Sequence, residues 1–231
     1  MNIAVVSAYT ENIAELVAPL SANKQEYCDK WGYKFFLDIV PATTVEWSKQ
    51  NQKTFGLYRI ILIKQLMIDH PEIDVFVWMD NDAFVMNFNK PLGDFIIPDI
   101  DLLIGEDWNG INVGVFFIRN NEQCRNFLQN VIDYIPPTTD IRPYWWVISE
   151  QNSVSELLHT VNTGLVHHSL INGYLIGPRK DNDFRPFGLG PRIRDWQPRS
   201  FQLGDFALHL VGEHNENKPT LIKEYLEKVI K

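Results

Sequence analysis

Asp80 and Asp82 stand one residue apart, directly after the apolar run Val75-Phe76-Val77-Trp78-Met79. Two carboxylates at that spacing can turn toward one point where a strand breaks, and hard oxygen ligands of this kind suit Mg²⁺ or Mn²⁺. A cation held there would neutralise a diphosphate leaving group. On spacing alone an Asp-x-Asp is most often a solvated turn. Here Ala83-Phe84-Val85 follows the pair, so apolar chain flanks the carboxylates on both sides. Burying two like charges without a cation is costly.

The elements that must position this pair can be read from apolar periodicity. Ile3 to Val6 reads as a first buried strand ending in Ser7-Ala8-Tyr9-Thr10, a helix runs from about Asn12 to Trp31, and Gly32 closes it. Tyr33 to Asp38 resumes strand character, giving the β-α-β order of a parallel sheet. Thr54 to His70 is helical and stopped by Pro71, and Asp74 to Met79 is a central strand running into Asp80. Leu102 to Gly105 and Val113 to Ile118 read as strands, and Glu122 to Tyr134 and Glu150 to His159 as helices. Asn172 to Gln202, rich in Gly, Pro, Arg and aromatics, reads as a long loop that covers a ligand. Phe206 to Val211 is the last strand and Leu221 to Ile230 a terminal amphipathic helix. The expectation is one α/β domain over residues 1–231, with a Rossmann-like, mostly parallel central sheet flanked by helices and ligands bound beyond the carboxyl ends of its strands.

Bulk properties narrow the partners. The 231 residues carry a net charge of −8, so no broad positive field exists to attract nucleic acid, while a small phosphorylated ligand remains compatible through a bound cation. Two cysteines, Cys28 and Cys124, suggest neither a disulfide framework nor a zinc site. No basic, apolar leader and no membrane-spanning run is read, so the expected location is cytoplasmic and soluble, or peripheral to a membrane.

Several blocks resemble, in order, the GT-A glycosyltransferase family that includes fungal galactosyl- and mannosyltransferases and plant xyloglucan xylosyltransferases. Asn23-Lys24 to Tyr27 with Trp31-Gly32-Tyr33 resembles the family's first helix and its His-Gly-Tyr turn. Trp78-Met79-Asp80-Asn81-Asp82-Ala83-Phe84 resembles its Asp-x-Asp-Ala-Phe core, and Asn112 to Asn120 its Asn-x-Gly-x-Phe-x-x-Arg-Asn segment. Ser149-Glu150-Gln151-Asn152-Ser153 is similar to an acidic-Gln-Ser block, and His209 to Gly212 with Lys218 to a C-terminal His-x-x-Gly-x-Lys element. Ser149 stands where the family has an acidic residue, and the interval from Gly212 to Lys218 is longer than the family's.

The resemblance implies a metal-dependent transferase using Mn²⁺ (or Mg²⁺) and a nucleotide-sugar donor, a UDP-sugar by family habit, with a glycan or glycoprotein acceptor and retention of configuration. Asp80 and Asp82 would hold the metal, with His209 completing the site and Asn81 within the same donor-binding set. Lys218 and Lys64 would serve the diphosphate, Asn112, Gly114 and Gly212 the donor, and Glu150 and Gln151 the anomeric carbon and acceptor. If configuration were inverted instead, Glu150 would act as general base.

Ser7, Tyr9, Thr10 and Asp38 lie where related folds bind base and ribose, although an ordinary β-α loop is the alternative, with Thr10 capping the helix. His167 and His168 point to opposite faces of a strand and are read as structural or acceptor-facing, while His214 sits in a solvated run. Tyr144-Trp145-Trp146 is either core or a stacking platform for an acceptor sugar. Arg179, Arg185, Arg192 and Arg194 either close over phosphates or pair with nearby aspartates. The rival function is a non-catalytic nucleotide-sugar or glycan binding module on the same scaffold.

Overall fold

Strands β1 (Ile3–Tyr9) and β3 (Val75–Met79) are apolar on both faces because both faces are covered. In the computed structural model, which describes residues 1–41, 43–44, 56–107, 110–135, 149–175, 199–211 and 216–231, they occupy the middle of a six-stranded sheet. Its order is β2-β1-β3-β6-β5-β7, with β2 (Lys34–Ile39), β5 (Leu102–Asp107), β6 (Gly110–Arg119) and β7 (Thr163–His167). β6 is antiparallel to both neighbours and the other pairings are parallel. The mostly parallel α/β sheet expected from the sequence is present, with this one reversal.

Side-chain alternation sorts the sheet into two cores. Ala4, Val6, Phe76 and Trp78 pack under helices α2 (Leu57–Asp69), α3 (Glu122–Asp133) and α4 (Glu150–Leu157). Ile3, Val5, Val75, Val77 and Met79 face α1 (Ala14–Trp31) and a second, three-stranded sheet. Helix α1 buries Val17, Leu20, Lys24, Tyr27 and Cys28 along one stripe and ends at Gly32, whose φ of 70° lets its N–H reach the Cys28 carbonyl. Asn121 and Ser149 cap α3 and α4, their side chains accepting from Cys124 N and Asn152 N.

The second sheet has the order β4-β9-β8, from β4 (Ala83–Val85), β8 (Gly173–Tyr174) and β9 (Ala207–His209). Asn23 on α1 holds its edge, donating to the Val85 carbonyl at 3.0 Å and accepting from Val85 N at 2.9 Å. The expected last strand is therefore shorter than Phe206 to Val211. The terminal helix α5 (Lys218–Leu226) begins at Lys218 with Pro219 in its first turn, not at Leu221. The expected helix from Glu150 to His159 closes in a 3-10 turn, Leu158–Thr160.

One irregularity shapes the ligand end of the main sheet. Ile104 opposes Phe116, but the next residue, Gly105, opposes Asn112, so β5 passes over residues 113–115 of β6. Among the described residues no helix is long and apolar enough to cross a membrane. Tyr144, Trp145, Trp146, Arg179, Arg185, Arg192, Arg194, Gly212 and His214 lie outside the described residues.

Candidate active site

Beyond Met79 the chain leaves the ladder in stages. Asp80 N donates to the Gly114 carbonyl at 2.8 Å, the last bond along β6, and Ala83 N closes a turn onto the Asp80 carbonyl at 3.0 Å. The chain then re-enters order as β4, whose Ala83 lies opposite His209 of β9. Leu210 N donates to the Asp82 carbonyl at 3.1 Å. The short second sheet thus fastens His209 beside the two aspartates from a distant part of the sequence.

The three side chains converge. His209 Nε2 lies 3.1 Å from Asp82 Oδ1 and 3.7 Å from Asp80 Oδ2. One ligand atom from each of Asp80, Asp82 and His209 falls within 4.8 Å of the others. Two carboxylates and an imidazole form a donor set that fits Mn²⁺ or Mg²⁺, more naturally the former because it accepts nitrogen.

Three basic side chains surround this set. Lys218, at the first position of α5, places Nζ 2.8 Å from Asp82 Oδ2. Arg59 on α2 places Nη1 2.9 Å from Asp80 Oδ1 and Nη2 3.5 Å from Glu150 Oε1, while donating to the Val113 carbonyl at 2.8 Å. Lys24 is fully buried beneath the Asp80–Asp82 turn, with Nζ 3.4 Å from the Asn81 carbonyl. Burial pushes the Lys24 ammonium down to about 8 against the opposing pull of Asp82 and Asp80. For Asp82 burial works to raise the carboxyl, but the charges and hydrogen bonds of His209 and Lys218 outweigh it and hold the group well below the usual range. These basic groups answer the like-charge repulsion that the sequence alone assigned to a cation. The fit of a metal therefore rests on the convergence of the three donor atoms rather than on charge burial.

Arg59 and Lys24 carry charges in the site that sequence reasoning passed over, and Lys64, which it chose instead, is half-buried on α2. Among the described residues no hydrogen bond or ion pair joins Lys64 to the site. The signal for Lys24 was its place on the apolar stripe of α1 with Leu20, Tyr27 and Cys28.

Glu150 and Gln151 open α4 beside this cluster. The Glu150 carboxylate lies directly over Gly56, where a Cβ would come within 2.1 Å of Oε1. Gln151 Oε1 is 3.4 Å from Val113 N. Asn81 reaches the end of β1, its Nδ2 3.3 Å from the Ala8 carbonyl. Asp38 stands opposite Ala8 on β2 and accepts from the Tyr58 hydroxyl at 2.5 Å. Ser7 is fully buried, while Tyr9 is partly exposed at the end of β1. Thr10 precedes a 3-10 turn (Glu11–Ile13) without capping it through its side chain.

A buried polar network lies under His209. Asn112 Oδ1 accepts from Gly114 N at 2.8 Å and from Asn172 Nδ2 at 2.9 Å, and Asn112 Nδ2 donates to Asp107 Oδ2 at 3.3 Å. Asn172 also contacts the Tyr174 hydroxyl at 3.1 Å and His209 Nδ1 at 3.0 Å. Gly114 must lack a side chain here, because a Cβ would sit 2.3 Å from His209 Cε1. Below, His168 stacks on Tyr174 with ring centroids 4.5 Å apart, which identifies it as structural. Of this network Asn112 and Gly114 were expected at the site, while Asp107, Asn172 and Tyr174 were not.

The model of the family described as galactosyl transferase, GMA12/MNN10 family, matches residues 3–100 and 96–220 of this chain. An alpha-1,2-galactosyltransferase of Schizosaccharomyces pombe is 25% identical over 138 residues, covering 45% of this chain and 36% of the relative, so the match spans about a third of that protein. A second protein of that organism, a probable alpha-1,2-galactosyltransferase, is 24% identical over 90% of this chain and 67% of its own length. Xyloglucan 6-xylosyltransferase 2 of Arabidopsis thaliana is 28% identical over 46% of this chain and 23% of its own length. Among solved structures, a glycosyltransferase involved in glycosylating the major capsid of PBCV-1 superposes with a TM-score of 0.67 at 17% identity, covering 97% of this chain and all (100%) of that one. The galactosyltransferase LgtC, solved with donor and acceptor sugar analogs, gives 0.57 at 12% identity over 98% and 95% of the two chains. These likenesses establish the GT-A fold.

Proposed function

This chain belongs to the galactosyl transferase GMA12/MNN10 family, and we propose that it is a metal-dependent glycosyltransferase moving a sugar from a UDP-sugar to a hydroxyl of a glycan or glycoprotein. Residues 1–231 act in this reading as one domain. The observation that carries it is the convergence of Asp80, Asp82 and His209 at the ligand end of the sheet, with Lys218 on the same carboxylate.

A divalent cation held by Asp80, Asp82 and His209 would supply Lewis-acid stabilisation of the departing diphosphate. Lys218 can exchange Asp82 for a phosphate oxygen, because its ammonium is a single point charge on a flexible stem. Tyr9, Thr10 and Asp38 at the ends of β1 and β2, with Asn81 in the turn after β3, are assigned to the base and ribose, and Ser7, fully buried, would support them from beneath. Asn112 and Gly114 line the donor-sugar side, and Gly212 is assigned to the donor by resemblance alone. In this reading the acceptor oxygen bonds to the anomeric carbon on the face from which the diphosphate departs, as the carbon–phosphate-oxygen bond breaks, so configuration is retained, and the hydroxyl proton passes to the departing diphosphate.

Glu150 and Gln151 stand beside the reacting carbon in this scheme. Arg59 lies 3.5 Å from one Glu150 oxygen, and in the retaining scheme, where the diphosphate takes the acceptor proton, Glu150 acts by charge and position.

The test is calorimetric titration of UDP and GDP, each with Mn²⁺ and with EDTA, into wild type and Asp82→Ala. Metal-dependent UDP binding that disappears in the variant supports the reading. Folded wild type that binds neither nucleotide under any condition refutes it and moves the chain to the non-catalytic binding module.

A further inference from the structure

We propose that Asn172 is a positioning residue for the candidate metal site: its side-chain oxygen holds the His209 ring with Nδ1 protonated, so that Nε2 faces Asp80 and Asp82. The inference deepens the reading above and, where the metal is concerned, rests on it.

The argument starts from an unambiguous donor. The backbone N–H of Gly114 can only donate, so the Asn112 side-chain atom 2.8 Å away is its carbonyl oxygen. That oxygen lies 2.9 Å from an Asn172 side-chain atom, which must then be the amino group. The remaining Asn172 atom, the oxygen, is the partner of His209 Nδ1 at 3.0 Å. An amide oxygen carries no hydrogen, so Nδ1 has to donate. The far end of the network agrees with this direction, because the Asp107 carboxylate accepts from Asn112 Nδ2 at 3.3 Å and from the Tyr174 hydroxyl at 3.4 Å. A donor at one end and an acceptor at the other leave the chain of bonds one orientation.

Asn172 is itself held. It is fully buried, its N–H donates to the His168 carbonyl at 2.6 Å, and its own carbonyl lies 3.2 Å from His168 Nδ1. Its amino group also meets the Tyr174 hydroxyl at 3.1 Å, so rotation of the amide would break several bonds together. Which imidazole nitrogen carries the proton is decided by the hydrogen bond made by the other, and a metal requires the unprotonated one. Asn172 therefore holds a proton on Nδ1 and leaves Nε2 as the nitrogen turned toward Asp82 and Asp80, the one a metal would take.

The experiment is a long-range ¹⁵N–¹H correlation spectrum of His209 in the metal-free protein, above the pH at which imidazole charges, together with Mn²⁺ titration of wild type and Asn172→Leu. The expected result is a protonated Nδ1 in wild type, its loss in Asn172→Leu, and an Mn²⁺ dissociation constant raised about 10–100-fold in that variant. A wild-type His209 whose Nδ1 carries no proton overturns the inference without need of any variant. So does an Asn172→Leu protein that melts cooperatively and binds Mn²⁺ as wild type does. Wild type that binds no Mn²⁺ sinks the metal-dependent reading instead, and the Nδ1 signal still decides whether Asn172 orients the ring.

Discussion

Arg59 Nη1 lies 2.9 Å from Asp80 Oδ1, and Trp78 Nε1 donates to the same oxygen at 2.7 Å. That oxygen of Asp80 is thereby engaged, and it is Oδ2 that lies nearer His209 Nε2, at 3.7 Å. One guanidinium thus serves Asp80, Glu150 and the Val113 carbonyl in different directions, which a planar fork can do and a single ammonium cannot. Arg59→Lys is expected to lower unfolding free energy by about 2 kcal/mol in denaturant titrations and to weaken Mn²⁺-dependent UDP binding. Wild-type values for both would remove Arg59 from the organisation of the site.

Gly114→Ala tests close approach rather than backbone freedom, since Gly114 is not among the positive-φ glycines. The added methyl would meet His209 Cε1 at 2.3 Å and Nδ1 at 2.7 Å. The expected outcome is a stability loss of about 1–3 kcal/mol from overpacking, with Mn²⁺ affinity falling further than that of a control substitution on α3. Unchanged thermal unfolding and Mn²⁺ titration would show that His209 has room to move aside.

Lys218→Met separates phosphate binding from structure. Loss of the ammonium should weaken UDP by about tenfold or more while changing uridine binding little, the charge-assisted bond being worth roughly 1.5–3 kcal/mol. Equal losses for UDP and uridine in calorimetry would mean that Lys218 shapes the site through Asp82 alone.

Stability should fall on mild acidification through His168. Burial, with the nearby charges of His167 and Arg199, pushes its imidazole down to about 4, against the pull of the Asn172 carbonyl and Asp205. A base with a depressed folded-state value binds its proton more weakly folded than unfolded. The stability it permits is complete above the unfolded value of 6.5 and is lost as pH falls toward 4, by on the order of 3 kcal/mol. Urea unfolding across that window should show uptake of about one extra proton on unfolding, and a slope unaltered in His168→Gln would contradict it.

The parts of the fold legible in the sequence were those whose burial is two-sided or strictly periodic. β1 and β3 announced themselves as apolar runs because helices or a second sheet cover each face, and α2 through Leu57, Ile60, Ile63 and Met67. β4 and β8 escaped because strands of three and two residues carry no period. The reversal of β6 escaped because a buried strand reads the same in either direction. Within the site, Asp80, Asp82 and His209 were legible from residue type and resemblance, and the structure brings them together. Arg59 and Lys24 were not, because a charged residue on a helix is by default assigned to solvent, and only tertiary packing shows the carboxylates that receive it.

The stretch of β6 that β5 passes over has a consequence for parity. Side chains alternate along a strand, so an even offset would leave each residue on the side its neighbours predict, and an odd one inverts the assignment. The offset here is residues 113–115, and the core under α2 and α3 accordingly receives Phe116 and Ile118 after it but Ile111 before it and Val113 at its start. Even-numbered positions change sides in mid-strand. Asn112 and Gly114 are thereby delivered to the side of the sheet where His209 and Asn172 lie. Removing a single residue from that stretch would restore the wrong parity and turn the polar edge of the site into the hydrophobic layer, a far larger disturbance than the loss of any side chain within it.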